Sequence, residues 1–281
     1  MRQGVAAALV LAGALLALLG AVGLVRFPDF FSRAHAAAKA ATLGVILATA
    51  AAVVAAGSAG DAAILTLVML LLFLTGPAAT TLLARSAYHD PDTPRLLGGG
   101  DELAGRKAEE APFPERPGST ALLALWLAAA WLAFWGAAEP GVALAAVALG
   151  ATLARLLPGY RPRWPRGVLH PAAALGWAAH LGRMVITSTW QVTRAVVSPR
   201  RRLRTAVVRV PLRVRTATEV TLLMNSVTFS PGTMALEVEA GCLFVHVLHL
   251  ESPEAFVAEV RSLEEHIITA FGTPEERAGG R

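Results

Sequence analysis

Charge is scarce in this chain. Of its 281 residues only 16% are charged and 55% are hydrophobic, with a mean hydropathy of +0.54. A soluble domain carries about 25% charged residues. The shortfall is concentrated in long charge-free stretches, which argues against an ordinary soluble domain and makes membrane spans the first reading. Cysteine is nearly absent. Cys242 alone cannot form an intrachain disulfide or a cysteine metal cluster, and its apolar strand setting reads as a buried thiol. Catalytic patterns are missing too: there is no phosphate-binding loop, dinucleotide fingerprint, HExxH helix or nucleophile elbow. No enzyme chemistry, cofactor or metal site is therefore expected. His246 and His249 are three apart on a strand, face opposite sides and make poor joint metal ligands.

The hydrophobic runs come next. Gly4 to Val25, Ala40 to Gly60, Ala62 to Ala84 and Pro117 to Ala138 are each close to the twenty residues that cross a bilayer core. Pro140 to Ala154 is a shorter fifth candidate, turned back by Glu139-Pro140-Gly141. Gly167 to Val197 contains Arg183, Arg194, His170 and His180, and reads as an amphipathic helix with a full span as the alternative. The first run is too long for the apolar segment of a cleaved signal peptide. Basic residues follow spans one, three and five: Arg26, Arg33 and Lys39, then Arg85, Arg95, Arg106 and Lys107, then Arg155, Arg161, Arg163 and Arg166. By the positive-inside rule the first loop and the central segment are cytoplasmic, and so is the C-terminal tail if Gly167 to Val197 does not cross.

Composition divides the chain. Residues 1–90 form a three-span module. Residues 91–118, with Pro91, Pro94, Gly98 to Gly100, Pro112, Pro114 and Pro117, read as a flexible linker. Residues 119–281 form the second module, with membrane helices over 119–197 (a helical hairpin plus the amphipathic or spanning helix) and an α+β tail over 203–272. In that tail Val208, Val210, Leu212 and Val214 alternate with polar residues, as do Met234, Leu236 and Val238 with Glu237 and Glu239. Thr218 to Phe229 reads as a helix, and Cys242 to Leu250 as an apolar strand. Ser252-Pro253 opens a last helix whose apolar face is Phe256, Val260, Leu263, Ile267 and Phe271. The expectation is a mainly α-helical membrane protein ending in a small β-α-β-β-α domain.

Two polar clusters carry the functional readings. Asp29, Arg33, His35 and Lys39 follow the first span; His35 and Lys39 share a helical face, and Arg26, Asp29 and Arg33 are spaced for a local ion pair. Ionisable groups at a membrane mark ion paths, but at a span boundary they also anchor helix ends at the headgroups. Both readings stand. Thr75-Gly76-Pro77 can kink the third span or let a neighbour pack closely. The second cluster is basic: Pro140 to Thr218 holds thirteen Arg and no acidic residue, including Arg200, Arg201, Arg202 and Arg204. Anionic lipid headgroups are the favoured partner. Nucleic acid is disfavoured because no aromatic residue interleaves between Arg200 and Arg215 to stack bases. Asn225, Thr228 and Thr233, around Pro231-Gly232, are explained by a helix stop and turn.

The segment Gly23-Leu24-Val25-Arg26-Phe27-Pro28-Asp29-Phe30-Phe31-Ser32-Arg33-Ala34-His35-Ala36-Ala37-Ala38-Lys39-Ala40-Ala41-Thr42-Leu43-Gly44 resembles the signature of the G-type subunits of Mrp (Mnh/Pha) Na+/H+ antiporters. Thr75-Gly76-Pro77-Ala78-Ala79 is similar to that family's third-span pattern, which more often has Ala where Gly76 stands. Residues 119–272 resemble the E-type subunits of the same complex, through Val208-Arg209-Val210-Pro211-Leu212, Asn225-Ser226-Val227-Thr228-Phe229-Ser230-Pro231-Gly232-Thr233 and Val245-His246-Val247-Leu248. Nothing resembles the subunits of types A, D or F. The resemblance implies a natural fusion acting as an accessory subunit of a complex that exchanges Na+ or another monovalent cation for protons, with subunits of types A, B, C, D and F as partners. It makes Asp29, Arg33, His35, Lys39, Thr42, Thr75 and Pro77 candidates for ion-path or assembly roles, and Asn225, Thr228, Pro231, Gly232 and Thr233 the E-type motif. Three rivals remain: an Mrp-like subunit of a membrane-bound hydrogenase, a membrane-anchored regulator with a nucleic-acid- or lipid-binding tail, and a stand-alone membrane enzyme, for which no polar constellation is visible.

Overall fold

The computed structural model describes residues 1–39, 43–93, 97–104, 120–135, 139–156, 170–197 and 203–272. Its helices are α1 (Arg2–Arg26), α2 (Phe30–Lys39), α3 (Val45–Ala55), α4 (Ala59–His89), α5 (Thr120–Trp135), α6 (Pro140–Leu156) and α7 (Pro171–Val197), followed by β1 (Ala206–Pro211), α8 (Ala217–Phe229), β2 (Thr233–Glu239), β3 (Cys242–Val247) and α9 (Pro253–Phe271). By length and composition α1 and α4 can cross a bilayer; α3, α6 and the middle of α5 are apolar but shorter. Exposed apolar side chains stud these helices, among them Leu11, Leu15 and Leu18 on α1, Leu125 and Trp126 on α5, and Leu144 on α6. Surfaces of that kind need lipid or a partner.

Ala40 to Gly60 is not one continuous helix. The helix α3 ends at Ala55, Ala56 leaves helical geometry with ψ 135, and Ser58 caps α4 by accepting from the Asp61 amide at 3.1 Å. The eleven residues of α3 rise about 17 Å, well short of a roughly 30 Å core. A competing N-cap, rather than polarity, breaks the run.

Small residues set the helix packing. Ala146, Gly150 and Ala154 form the buried stripe of α6 that faces α5. A Cβ at Gly150 would sit 2.5 Å from the Ala124 carbonyl oxygen, so only glycine permits this approach. Pro140 stands at the first turn of α6, where its missing N–H costs nothing.

The tail folds as a three-stranded antiparallel sheet in the order β1-β3-β2. Two helices cover one face, with Val208, Val210, Leu223, Leu243, Val245, Val260, Leu263 and Ile267 as the core. The elements follow in the order expected from the sequence. Thr216 and Glu219 form a reciprocal capping box at the start of α8, and Ser252 with Pro253 opens α9. The α7 helix packs on α9, with Met184 in the same core and Trp177 edge-on to Phe271 at 5.5 Å.

The opposite face of the sheet differs from the simple alternation expected. Glu237 and Glu239 are buried, at 6% and 4% exposure. A β-bulge between Ala235 and Glu237 leaves Leu236 without a partner in the ladder. That face is covered by α2 and the C-terminal end of α4, which join Phe31, Ala84, Ala87 and Tyr88 to Met234, Leu236, Cys242 and Phe244 in a second core. Cys242 is buried as expected, with the Arg209 Nε 3.1 Å from its sulfur.

The stretch whose composition suggests a linker is partly built into the sheet. Residues 97–104 hydrogen-bond to β1, because Gly99, Gly100 and Glu102 have backbone partners at Thr205 and Val207. The remainder from 105 to 118 lies outside the described residues.

Candidate functional site at the junction of the halves

The helix α2 begins because Asp29 caps it. One carboxylate oxygen accepts from the Ser32 amide at 3.0 Å and the other from the Ser32 hydroxyl at 2.6 Å. The ion pair that spacing suggested for Arg26, Asp29 and Arg33 is therefore replaced. Arg33 Nε donates to the Phe27 carbonyl at 2.8 Å, and Arg26 donates to the Val196 carbonyl at 2.9 Å, at the C-terminus of α7. Backbone acceptors at a helix end and a chain turn outcompete a carboxylate already committed to its cap.

One turn later, His35 meets the sheet. Its Nε2 lies 2.9 Å from His246 Nδ1, one ring donating to the other. Both are buried, at 3% and 1% exposure, and their rings stack at 5.1 Å, with Phe31 also stacked on His246 at 4.9 Å. Burial pushes the His246 pKa down to about 4, against an upward pull from the Asp29 carboxylate. His246 is therefore neutral near pH 7. Its Nε2 has no hydrogen-bond partner among the described residues.

Further contacts run along the same seam. Arg85 and His89, on the last turns of α4, reach the two oxygens of buried Glu237 at 2.8 and 3.0 Å. Thr81 and Thr228 hydroxyls are 3.2 Å apart, and Phe73 tilts against Phe229 at 4.5 Å. The residues of the E-type motif make local hydrogen bonds around the turn. Thr228 accepts from the Ala235 amide at 3.1 Å, Thr233 donates to the Val227 carbonyl at 2.6 Å, and the Gly232 carbonyl accepts from the Leu248 amide at 2.8 Å. Pro231 is buried and Asn225 half-buried.

The candidates thus separate. Asp29 and His35 meet at the seam with Thr228 and His246. Lys39 closes α2, and its side chain is outside the described part, as are Thr42, Arg200, Arg201 and Arg202. Arg204 is exposed just before β1. Thr75 is exposed on α4 and donates to the Leu71 carbonyl at 2.7 Å, while Pro77 is buried inside that helix. Sequence reasoning missed Arg85, His89, Glu237 and His246. The one local signal was two glutamates on a strand of a small sheet.

Residues 124–270 match the family model of an Na+/H+ ion antiporter subunit (MnhE), and residues 9–88 match that of an Na+/H+ antiporter subunit (PhaG/MnhG/YufB). The chain belongs to both subunit families. It is a G-type subunit joined to an E-type subunit. Over 82 residues it is 42% identical to the G-type Na+/H+ antiporter subunit of Alkalihalophilus pseudofirmus, covering 28% of this chain and 68% of that one. The G1-type Na+/H+ antiporter subunit of Staphylococcus saprophyticus is 39% identical over 87 residues, covering 30% and 74%. A chain from the Mrp complex of Dietzia sp. aligns at 27% identity over 36% of this chain and 97% of its own, with a TM-score of 0.28. The seam described above is where the G-type and E-type parts meet.

Proposed function

We propose that this chain is an accessory membrane subunit of a monovalent cation/proton antiporter, and that Asp29, Arg33 and His35 act in assembly rather than as an ion path. The observation that carries this reading is the His35–His246 contact. His35 of the G-type signature meets His246 on a strand of the E-type domain, 211 positions away. Asp29 holds the cap and Arg33 the turn that aim α2 at that strand.

In this reading α1, α3 with its flanks, α4, α5 and α6 cross the bilayer and the β-α-β-β-α domain lies in the cytoplasm. The α7 helix lies along the membrane surface. Its inner face (Leu181, Met184, Val185, Val192 and Val196) is buried, whereas Leu175, Ile186, Trp190 and Val197 form an exposed apolar stripe at helical spacing. The partners are the other subunit types of such a complex, and the transported species are Na+ or another monovalent cation and protons. The basic run through Arg200, Arg201, Arg202 and Arg204 faces anionic headgroups.

The test is the complete complex carrying Asp29→Asn or His35→Ala, purified through another subunit and assayed for cation-driven proton movement in inverted vesicles. Assembly residues lower the yield of this chain in the complex and the antiport together. Full recovery of the chain with antiport abolished would refute the assembly role and restore the ion path.

A further inference from the structure

We propose that Gly99-Gly100-Asp101-Glu102-Leu103 is an intrachain clamp. It is a short segment, bridged to β1 at Asp101, that occupies the free edge of β1 and pins the E-type sheet to the end of α4. Such a clamp joins the two halves whatever the assembled complex transports.

The edge of a sheet presents unpaired donors and acceptors that attract another chain. In this sheet β1 is such an edge, because only β3 pairs with it. Its outward groups are consumed one by one. The Thr205 carbonyl accepts from the Gly99 amide at 2.8 Å, the Val207 amide donates to the Gly100 carbonyl at 3.0 Å, and the Val207 carbonyl accepts from the Glu102 amide at 3.2 Å. The Arg209 amide donates to the Glu102 carboxylate, which takes the place of a backbone acceptor. Pro211, next in the alternation, has no N–H to offer.

Each residue of the segment answers a local demand. A Cβ on Gly99 would stand 2.8 Å from the Ala206 Cβ, and Gly100 has φ +101, in the region that favours glycine. Asp101 pairs with Val207 in an isolated parallel bridge, while both its carboxylate oxygens lie 3.0 Å from the Tyr88 hydroxyl, which donates from the last turn of α4. Leu103, 3% exposed, enters the core formed by α2, α4 and the sheet. A flexible spacer has no reason to satisfy all of these conditions. The segment therefore contacts both halves at once, Tyr88 on the G-type side and β1 on the E-type side.

Hydrogen exchange on the full-length chain in detergent tests this directly. In Gly99→Leu and in Asp101→Ala the Val207 amide should lose at least tenfold of its protection, while β3 amides keep theirs. A peptide of residues 97–104 added in excess should restore Val207 protection in Gly99→Leu, and the same peptide carrying Gly99→Leu should not. A protease site placed between residues 105 and 119 and cut after purification adds an independent readout. The halves of Gly99→Leu should separate at a concentration at least tenfold higher than those of the parent. Unchanged Val207 protection in both variants would overturn the proposal. So would loss of protection throughout β3, which would make the segment a part of the sheet's own core, and so would equal separation of the cut halves.

Discussion

Acidification should loosen the seam, and His246 supplies the reason. Its pKa falls from an ordinary 6.5 to about 4 because burial removes the solvent that stabilises the imidazolium. When the seam opens or the domain unfolds, His246 returns to its ordinary value. Between pH 6.5 and about 4 the open state therefore binds more protons than the closed one, and stability rises with pH across that window. At about 1.36 kcal/mol per unit the loss on going from pH 7 to pH 4 is about 3 kcal/mol, a sizeable part of a domain's total. Protonation also fixes the direction of that bond: a charged His246 has two N–H donors, so His35 Nε2 must be the acceptor in a pair 2.9 Å apart. The assay is denaturant unfolding of the full chain in detergent from about pH 4 to pH 8, with the exchange rates of Phe244 to Val247 as the local readout. Replacing His246 by Gln should remove most of the slope. His180 is also shifted down, by burial and by His266 and Arg183, and contributes with the same sign. Glu259 and Glu264 are shifted up by burial and oppose it. An identical slope in His246→Gln would show that its titration is not the cause.

Three other outcomes follow from the packing. Glu264 accepts from the Arg213 and Val214 amides, so Glu264→Ala should cost about 2 kcal/mol by orphaning buried donors, and Glu264→Gln should cost less, both read from unfolding midpoints. Gly150→Leu forces α5 and α6 apart against the Ala124 carbonyl and should lower the thermal midpoint by the equivalent of about 1–3 kcal/mol, whereas Leu144→Ala on the exposed face should leave it unchanged. Glu237→Gln breaks the pairs to Arg85 and His89. Because those partners are about half exposed, the cost should be about 1 kcal/mol at low salt, and it should shrink near 1 M salt, where the screening length is about 3 Å.

Local features of the tail were legible. Ser252-Pro253 and the spacing of Phe256, Val260, Leu263 and Ile267 specify α9 from its own residues alone, and such signals need no partner. The seam could not be read this way. His35 and His246 are separated by 211 positions, and Arg85 and Glu237 by 152, so no window holds both members. The pattern of β2 suggested a wet glutamate face because α4, which covers it, comes from the other half of the chain. Composition misled most at Gly98 to Gly100, because glycine serves loops and close strand edges alike. The Ala40 to Gly60 run failed for a different reason. Hydropathy averages over Ser58, whose side chain caps α4 just after α3 has ended.

The polar seam and the clamp act on one step. Glu237 needs Arg85 and His89, His246 needs His35, Thr228 meets Thr81, and the Val196 carbonyl accepts from Arg26. If the halves met as separate chains, water would satisfy each of these groups beforehand. Docking would then exchange hydration for protein contacts, at a net gain of about 1 kcal/mol per hydrogen bond, while losing translational and rotational freedom. Such contacts select the right partner more than they drive association, since a wrong partner would leave buried groups unpaired. A covalent connection changes the balance by holding the halves at an effective concentration in the millimolar range. The clamp adds to it by filling the β1 edge with a segment that begins about ten residues beyond the end of α4. Joining the subunits therefore adds to the affinity of the apolar core that α2 and α4 share with the sheet, and the polar contacts supply the register that a tether alone cannot enforce.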